Sequence, residues 1–358
     1  MKKVIVSVSN NLVTDQRVAK VCNSLYENGF EVLLVGRNFP KVTGLNRKYK
    51  TKNLTLFFNK GALFYAEFNI RLFFFLFFTK KDVLLANDID TLLSNYLVSK
   101  LQNKKIVFDS HELFSEIPEL VDRPRIKDFW LGLEQKIIPK LKNCYTVCES
   151  IANHYQEKYN TKFEVVRNTP IKKELSVDAF EKTEKVIVYQ GAVNVGRGLE
   201  LMIETMKYLD GFLLWIIGDG GVFEELKQKV EREELTEKVL FFGRVLPDEL
   251  YEITPKACLG ISLEEDLGMN YRYALPNKIF DYIQAEVPIL ISDLPEMKNV
   301  VDHYKVGEIV EYRDPEFLTK QIKALVEKDF SGALKKAKQE LIWEKEEQKL
   351  LRLFNDLK

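Results

Sequence analysis

Residues Lys2–Gly36 read KKVIVSVSNNLVTDQRVAKVCNSLYENGFEVLLVG. A β-branched run gives way to a polar loop, then to apolar residues at helical spacing from about Asp15 to Tyr26. Gly29 marks a helix stop before a second apolar run, FEVLLVG. Strand, helix and strand joined by short connections make the unit of a parallel sheet, because the helix must carry the chain back to the same edge. Working outward, LTLFF, DVLLAND, KIVFDS, CYTVCES and FEVVRN continue the pattern. KVIVYQG, FLLWIIG, KVLFFG, ACLGISL, VPILIS and GEIVEY then restart it. Between the halves lies NTPIKKELSVDAFEKTE, polar and containing Pro170, which reads as a linker. The expectation is an α/β chain with a first Rossmann-like domain over 1–168, a linker over 169–184 and a second Rossmann-like domain over 185–330. Residues 331–358 are expected to form one charged amphipathic helix packing back across the domains, with Leu341, Leu350, Leu353 and Leu357 available for contact. Two doubly wound sheets facing a central cleft would bring their strand carboxyl ends, where such sheets bind ligands, to one place.

The bulk numbers agree with an enzyme of this size. At 358 residues the chain exceeds one typical core. Hydrophobic residues at 46% and charged residues at 30% exclude a disordered or fibrous chain. Lys+Arg and Asp+Glu are equal at 53, so the global basicity of a nucleic-acid binder is missing and no nucleic acid is expected as partner. Cys22, Cys144, Cys148 and Cys258 sit in apolar stretches without partner ligands at metal spacing, and read as buried thiols. Cys144 and Cys148 are expected on one face of a strand. MKKVIVSVSNN is too short and too polar for a signal h-region, so a cytoplasmic protein is expected.

Charge is uneven locally. From Val32 to Ala66 there is no acid, while Arg37, Lys41, Arg47, Lys48, Lys50, Lys52 and Lys60 are basic. The unbroken apolar run Leu72–Phe78 follows, too short to cross a bilayer, which takes ~20 helical residues. Two readings of Phe64–Phe78 stay open: a core helix covering a sheet, or a helix that rests its aromatic side on a membrane surface while nearby Lys and Arg meet anionic head groups. Under the second reading the protein is peripheral on the inner face of the membrane.

Chemistry concentrates in Tyr189–Tyr208, YQGAVNVGRGLELMIETMKY. A strand enters Gly191, and Arg197-Gly198 opens an amphipathic helix. Backbone N–H groups at a helix start beside a guanidinium suit phosphate oxygens. The plain alternative is a strand-to-helix turn in which Gly191, Gly196 and Gly198 supply permissive backbone. A second stretch, YRYALPNKIFDYIQAEVPILISDLPE, reads Pro276 as the first helical residue, with Asn277, Lys278 and Asp281 in the opening turns. Lys278 there opposes the helix dipole, a conflict explained by a bound diphosphate. Asp281, on the same face, suits a ribose diol. Alternatively Lys278 points to solvent and Asp281 complements the dipole.

These two stretches, with GDGG at Gly218–Gly221 and FFGRV…EL between them, resemble the retaining nucleotide-sugar glycosyltransferases of the GT-B fold, specifically the bacterial group-1, family-four-like type. SNNLVTDQRVAKVCNSLYENGFEVLLVG, ANDIDTLL and FDSHELFSEIPEL are similar to that group's opening, "HDLDTL" and "DSHEL" elements, so the resemblance spans nearly the whole chain. It implies a hexosyltransferase that moves a sugar from a nucleotide-diphosphate donor to a glycan or lipid-linked acceptor in surface polysaccharide biosynthesis. It further implies retention of configuration and no cofactor or metal ion. Arg197 and Lys278 would neutralise the diphosphate, and Asp281 would hold the ribose. Gly191, Gly198, Gly218, Asp219, Arg244 and Asn277 would complete the donor site. Two positions depart from the pattern. The first acid of the family's paired-acid motif falls on Tyr273, leaving Asn270, Tyr271 or Glu264 to meet the sugar. Ala192 stands where many relatives carry Arg, so a cation would have to come from Arg244, or from Arg17 in the other half.

His111 ends a strand between Asp109 and Glu112, and matches the histidine that retaining relatives carry near the anomeric centre. The resemblance therefore implies a catalytic role for His111 beside Arg197 and Lys278, with Asp15, Arg17, Asp88 and Glu112 on the acceptor side. Asp88 and Asp90 in NDIDTL mimic a D-x-D metal motif, but Asp90 reads better as a helix N-cap. Three rivals share the architecture. A sugar-nucleotide epimerase would act without acceptor. A non-catalytic nucleotide-sugar-binding partner would bind donor without releasing nucleotide. A nicotinamide dehydrogenase would need a glycine fingerprint that is missing after KVIVSVS.

Overall fold

The structure is a computed structural model that describes residues 1–13, 15–37, 47–117, 120, 123–173 and 185–357. Lys41 and most of the expected linker, 174–184, lie outside the described residues. The chain forms two compact units, one of Met1–Asn168 with Trp343–Lys358 and one of Thr169–Ile342.

The first unit holds strands β1 (Lys3–Asn11), β2 (Glu31–Arg37), β3 (Lys50–Asn53), β4 (Val83–Asn87), β5 (Lys105–Ser110), β6 (Cys144–Thr146) and β7 (Glu164–Val165). They form one parallel sheet in the order β3-β2-β1-β4-β5-β6-β7, whose direction of winding switches between β1 and β4. Helices α1 (Gln16–Glu27), α2 (Gly61–Phe78), α3 (Ile89–Leu101), α4 (Pro124–Ile137) and α5 (Glu149–Tyr159) connect them. The second unit holds β8 (Lys185–Gln190), β9 (Phe212–Ile217), β10 (Val239–Gly243), β11 (Leu259–Ser262), β12 (Ile289–Ile291) and β13 (Gly307–Ile309), parallel in the order β10-β9-β8-β11-β12-β13. Its helices are α6 (Leu199–Met206), α7 (Phe223–Arg232), α8 (Pro247–Ile253), α9 (Met269–Arg272), α10 (Asn277–Gln284), α11 (Pro295–Tyr304), α12 (Pro315–Leu325) and α13 (Ser331–Glu340). Here the switch lies between β8 and β11.

Strand pleating assigns the core. In β1, Val4, Val6 and Val8 face one layer with Val18, Val21 and Leu25 of α1, while Ile5 faces the other with Phe64, Phe68 and Leu72 of α2. In β8, Ile187 and Tyr189 pack on Met202 and Met206 of α6, and Val186 and Val188 on Ile279 and Ile283 of α10. Both sheets are thus covered on both faces, as all-parallel sheets require.

Several expectations need correction. LTLFF is not a strand; the strand is the polar KTKN before it, an edge strand whose lysines face water. Only Cys144 is in a strand, Cys148 being the N-cap of α5, though both are buried. The single terminal helix is two. α13 packs in the second unit, the chain breaks at Leu341-Ile342, and α14 (Trp343–Asn355) joins the first unit. There Trp343, Leu350, Phe354 and Leu357 enter the core, and the Trp343 indole donates to Ser24 Oγ at 2.9 Å.

Candidate active site

In the second unit the sequence-predicted donor residues follow the carboxyl ends of β8 and β11, on either side of the switch point, and of β9 and β10, which Gly218, Asp219 and Arg244 follow. Gly191 leaves β8 with its N–H bonded to Ile217 O, and Val193 N–H bonds Asp219 O, so the loops after β8 and β9 run side by side. That approach requires glycine: a Cβ on Gly218, at φ 143°, would sit 1.8 Å from Gly191 O. Gly198 caps α6 in the left-handed region, φ 72°, where a Cβ would meet Leu263 O at 2.1 Å. Among the described residues no side chain caps α6, which leaves its opening N–H groups for an anion.

Lys278 does not point to solvent. It is buried, its Nζ donates to Glu264 Oε1 at 2.7 Å, and it lies 4.2 Å from the centre of the Tyr189 ring. Arg197 approaches the same Glu264 oxygen at 3.6 Å and stacks over Tyr271 at 5.0 Å. Its Nε–H is buried without a partner among the described residues. Burial pushes the Glu264 carboxyl up, but Lys278, Ser262 and Arg197 together outweigh it and hold it below the ordinary value. The Lys278 conflict with the helix dipole is therefore answered within the protein by Glu264. Pro276 is the N-cap rather than the first helical residue, and Asn277 opens α10 exposed. Asp281 accepts from Gln190 Nε2 at 3.0 Å, and Thr254 Oγ1 donates to the same amide's oxygen at 2.9 Å. Exposed Arg244 pairs with Asp219 at 3.3 Å. Glu264 and Tyr271, both offered for the sugar, are engaged by the protein itself, Tyr271 donating to Val195 O at 3.0 Å. Gln190, Ser262, Thr254 and Arg313 were not anticipated. Arg313 bonds Leu263 O at 3.1 Å and Ser292 Oγ at 2.9 Å, fixing the backbone that carries Glu264.

In the first unit a second cluster forms at the ends of β4 and β5. His111 Nδ1 lies 3.2 Å from Asp88 Oδ2 and its Nε2 lies 3.0 Å from Asp109 Oδ2. Asp88 adopts φ 57°, which lets its Oδ1 accept the His111 backbone N–H at 2.8 Å. Burial works against a charged ring, yet Asp88 and Asp109 outweigh it and raise His111 to about 9. Desolvation raises Asp88 to about 7 despite His111. Asp109 has the opposite fate: burial pushes it up, but Arg17 and His111 bring it down to about 2. Arg17 grips Asp109 with Nε at 3.0 Å and Nη2 at 2.8 Å, and gives Nη1 to Val166 O. It is 4% exposed and cannot supply a diphosphate cation or touch an acceptor; it positions Asp109 instead. Asp15 is the N-cap of α1, accepting from Val18 N–H at 3.0 Å. Asp90 is no N-cap. It lies inside the first turn of α3, where Ser9 Oγ donates to its buried carboxylate, and burial raises it to about 6. Glu112 is half-buried next to His111.

A pH dependence follows. A histidine raised from 6.5 to about 9 contributes stability that is complete below 6.5 and lost as pH rises through about 9. Denaturant midpoints of His111→Gln should therefore fall furthest below wild type at pH 6.5 and converge on it toward pH 9. A deficit that does not shrink with pH would show the ring to be neutral.

Comparison with known families separates the same two parts. The model described as Glycosyltransferase Family 4 matches residues 15–169, and the model described as Glycosyl transferases group 1 matches residues 171–342. The chain is a GT-B glycosyltransferase of the group 1 type. Solved structures agree in fold. A sucrose-phosphate synthase from Thermosynechococcus elongatus superposes with a TM-score of 0.81 at 13% identity, covering 100% of this chain and 99% of that one. HepE from Anabaena in complex with UDP-glucose gives 0.73 at 12% identity, covering 99% and 100%. The lipopolysaccharide outer core galactosyltransferase WaaB gives 0.67 at 13% identity, covering 100% and 99%. No curated protein matches in sequence. In this glycosyltransferase the residues expected to bind donor fall within the group 1 match, and His111 within the family 4 match.

Proposed function

We propose that the protein transfers a hexose-type sugar from a nucleoside-diphosphate sugar to a glycan or lipid-linked acceptor, with retention and without a metal ion, in assembly of a surface polysaccharide. The observation that carries the donor reading is the convergence of Lys278 and Arg197 on Glu264 beside the uncapped start of α6. Breaking the bond from anomeric carbon to phosphate oxygen leaves negative charge on the diphosphate. Fixed cations and a helix N-terminus stabilise that charge with little reorganisation. An ammonium has three donors and Glu264 takes one, so Lys278 keeps donors for phosphate oxygens, and the unpartnered Arg197 Nε–H is another. Asp281, one turn along α10 from Lys278, takes the ribose. The acceptor oxygen bonds to the anomeric carbon on the face the diphosphate leaves, and a diphosphate oxygen accepts its proton. The HepE structures carrying UDP and UDP-glucose make uracil the first base to try.

Thermal stability against UDP, GDP, ADP, CMP and their sugars tests the reading. The true donor at ~100 times its dissociation constant should stabilise by about 2.7 kcal/mol, and Asp281→Ala should lose that gain. Absence of any shift would sink the donor site. Binding that never leads to nucleotide release, whatever the acceptor, would mark a non-catalytic partner instead.

A further inference from the structure

We infer that the outer face of α2, continued by α3, docks the protein in the interface of an anionic phospholipid bilayer. α2 is 18 residues long and apolar enough to cross a membrane by composition. Its packing rules out crossing. Phe64, Phe68, Leu72 and Leu76 form a stripe at most 3% exposed, set into the core with Ile5, Val35, Leu84 and Val98. Asn69 Nδ2 further ties the helix to Asp90 O at 2.8 Å. One side belongs to the protein core, and only the other can meet anything else.

That other side is apolar without being covered. Leu63, Ile70, Phe74 and Phe78 recur at helical spacing and are 60%, 60%, 55% and 80% exposed. Alongside, Glu67 accepts the backbone N–H groups of Phe57 and Phe58, holding a loop whose Phe57 is 82% exposed. Arg71 binds Glu67 at 2.7 Å and lies 5.1 Å from the Phe57 ring centre, so this one acid is both occupied and neutralised. On α3, Leu97 and Leu101 extend the surface, and the Gln102 amide donates to Phe77 O at 2.8 Å, joining the ends of the two helices. A contiguous aromatic patch in water is costly unless it has an occupant.

The surrounding charge identifies that occupant. Residues 50–80 carry Lys50, Lys52, Lys60, Arg71 and Lys80 against Glu67 alone, while Lys81 is buried and bonded to Leu76 O and Gln102. Residues 91–108 carry Lys100, Lys104 and Lys105 and no acid. A second copy docked on this face would set cation against cation. An aromatic ridge flanked by lysines instead matches a bilayer interface, where rings enter the acyl boundary and ammonium groups meet lipid phosphates.

Co-sedimentation of the full chain with vesicles tests this, using phosphatidylcholine alone and phosphatidylcholine with equal phosphatidylglycerol. Binding to the anionic vesicles should be at least roughly tenfold stronger and should weaken with salt. Phe74→Ser with Phe78→Ser should lose roughly tenfold or more, as should Lys80→Glu with Lys100→Glu. Both pairs should keep the wild-type melting temperature and nucleotide affinity, which separates this face from the donor site. Wild type that binds neither vesicle, or pairs that bind as wild type does, overturns the inference. A dimer dissolved by the phenylalanine pair without vesicle binding also overturns it and assigns the face to a second copy.

Discussion

Lys278→Met is expected to reduce turnover by roughly 10²–10³-fold, the usual effect of removing one preorganised donor from a developing oxyanion. The same change should lower stability by about 3–5 kcal/mol, because it leaves the buried Glu264 carboxylate with the Ser262 hydroxyl at 2.7 Å and, as counter-charge among the described residues, Arg197 at 3.6 Å. The two effects can be pulled apart. Adding Glu264→Gln removes the stranded charge, so the double variant should recover most of the stability while turnover stays low. Urea midpoints and nucleotide release from the donor give the two readouts. Recovery of both in the double variant would reduce Lys278 to a structural ion pair and remove it from the chemistry.

Asp109→Asn should cost about 3–5 kcal/mol in the first unit, since it leaves the Arg17 guanidinium, 4% exposed, without its counter-charge. Asp109 is depressed from 3.8 to about 2, so its contribution is present above 3.8 and lost as pH falls through about 2. The deficit of the variant should accordingly be largest near neutrality and fade in acid. Hydrogen exchange localises the effect: amides of α1 and β5 should lose protection while those of β8 and β9 keep theirs. Arg17→Met alone should be comparably damaging, and pairing it with Asp109→Leu should restore much of the loss. A pair as unstable as the single variants would show that the Tyr145 ring, 5.5 Å from the guanidinium, and the bond to Val166 O, rather than charge, make this site sensitive.

Most of the fold was legible because parallel strands buried on both faces are apolar runs, and runs such as VIVSVS or KVIVYQG have no other reading. LTLFF misled because its apolar residues serve a loop: Leu54 is buried, but Phe57 and Phe58 face outward beside α2. The same physics left Phe64–Phe78 undecided, since α2 has apolar residues all round and only packing reveals which stripe the core takes. Within the site, Arg197, Lys278 and Asp281 were legible from their places at helix starts. Their partners were not. Glu264 and Lys278 are fourteen residues apart, Gln190 and Asp281 ninety-one, and no local spacing encodes such pairs. Arg17 misled for the same reason. Its counter-ion, Asp109, arrives from a strand ninety-two residues later and turns an expected ligand contact into a sealed internal strut.

The closing of the first sheet by α14 bears on how the chain matures. Trp343, Leu350 and Phe354 cover the layer built on Val4, Val6 and Val8, yet the ribosome makes them long after those strands. At roughly 5–20 residues per second, the interval from Asn168 to Trp343 lasts on the order of ten to thirty seconds. Throughout that interval the nascent amino-terminal sheet has one apolar face unfinished. A chaperone that waits on emerging hydrophobic surface would meet this protein early and release it only once α14 has emerged.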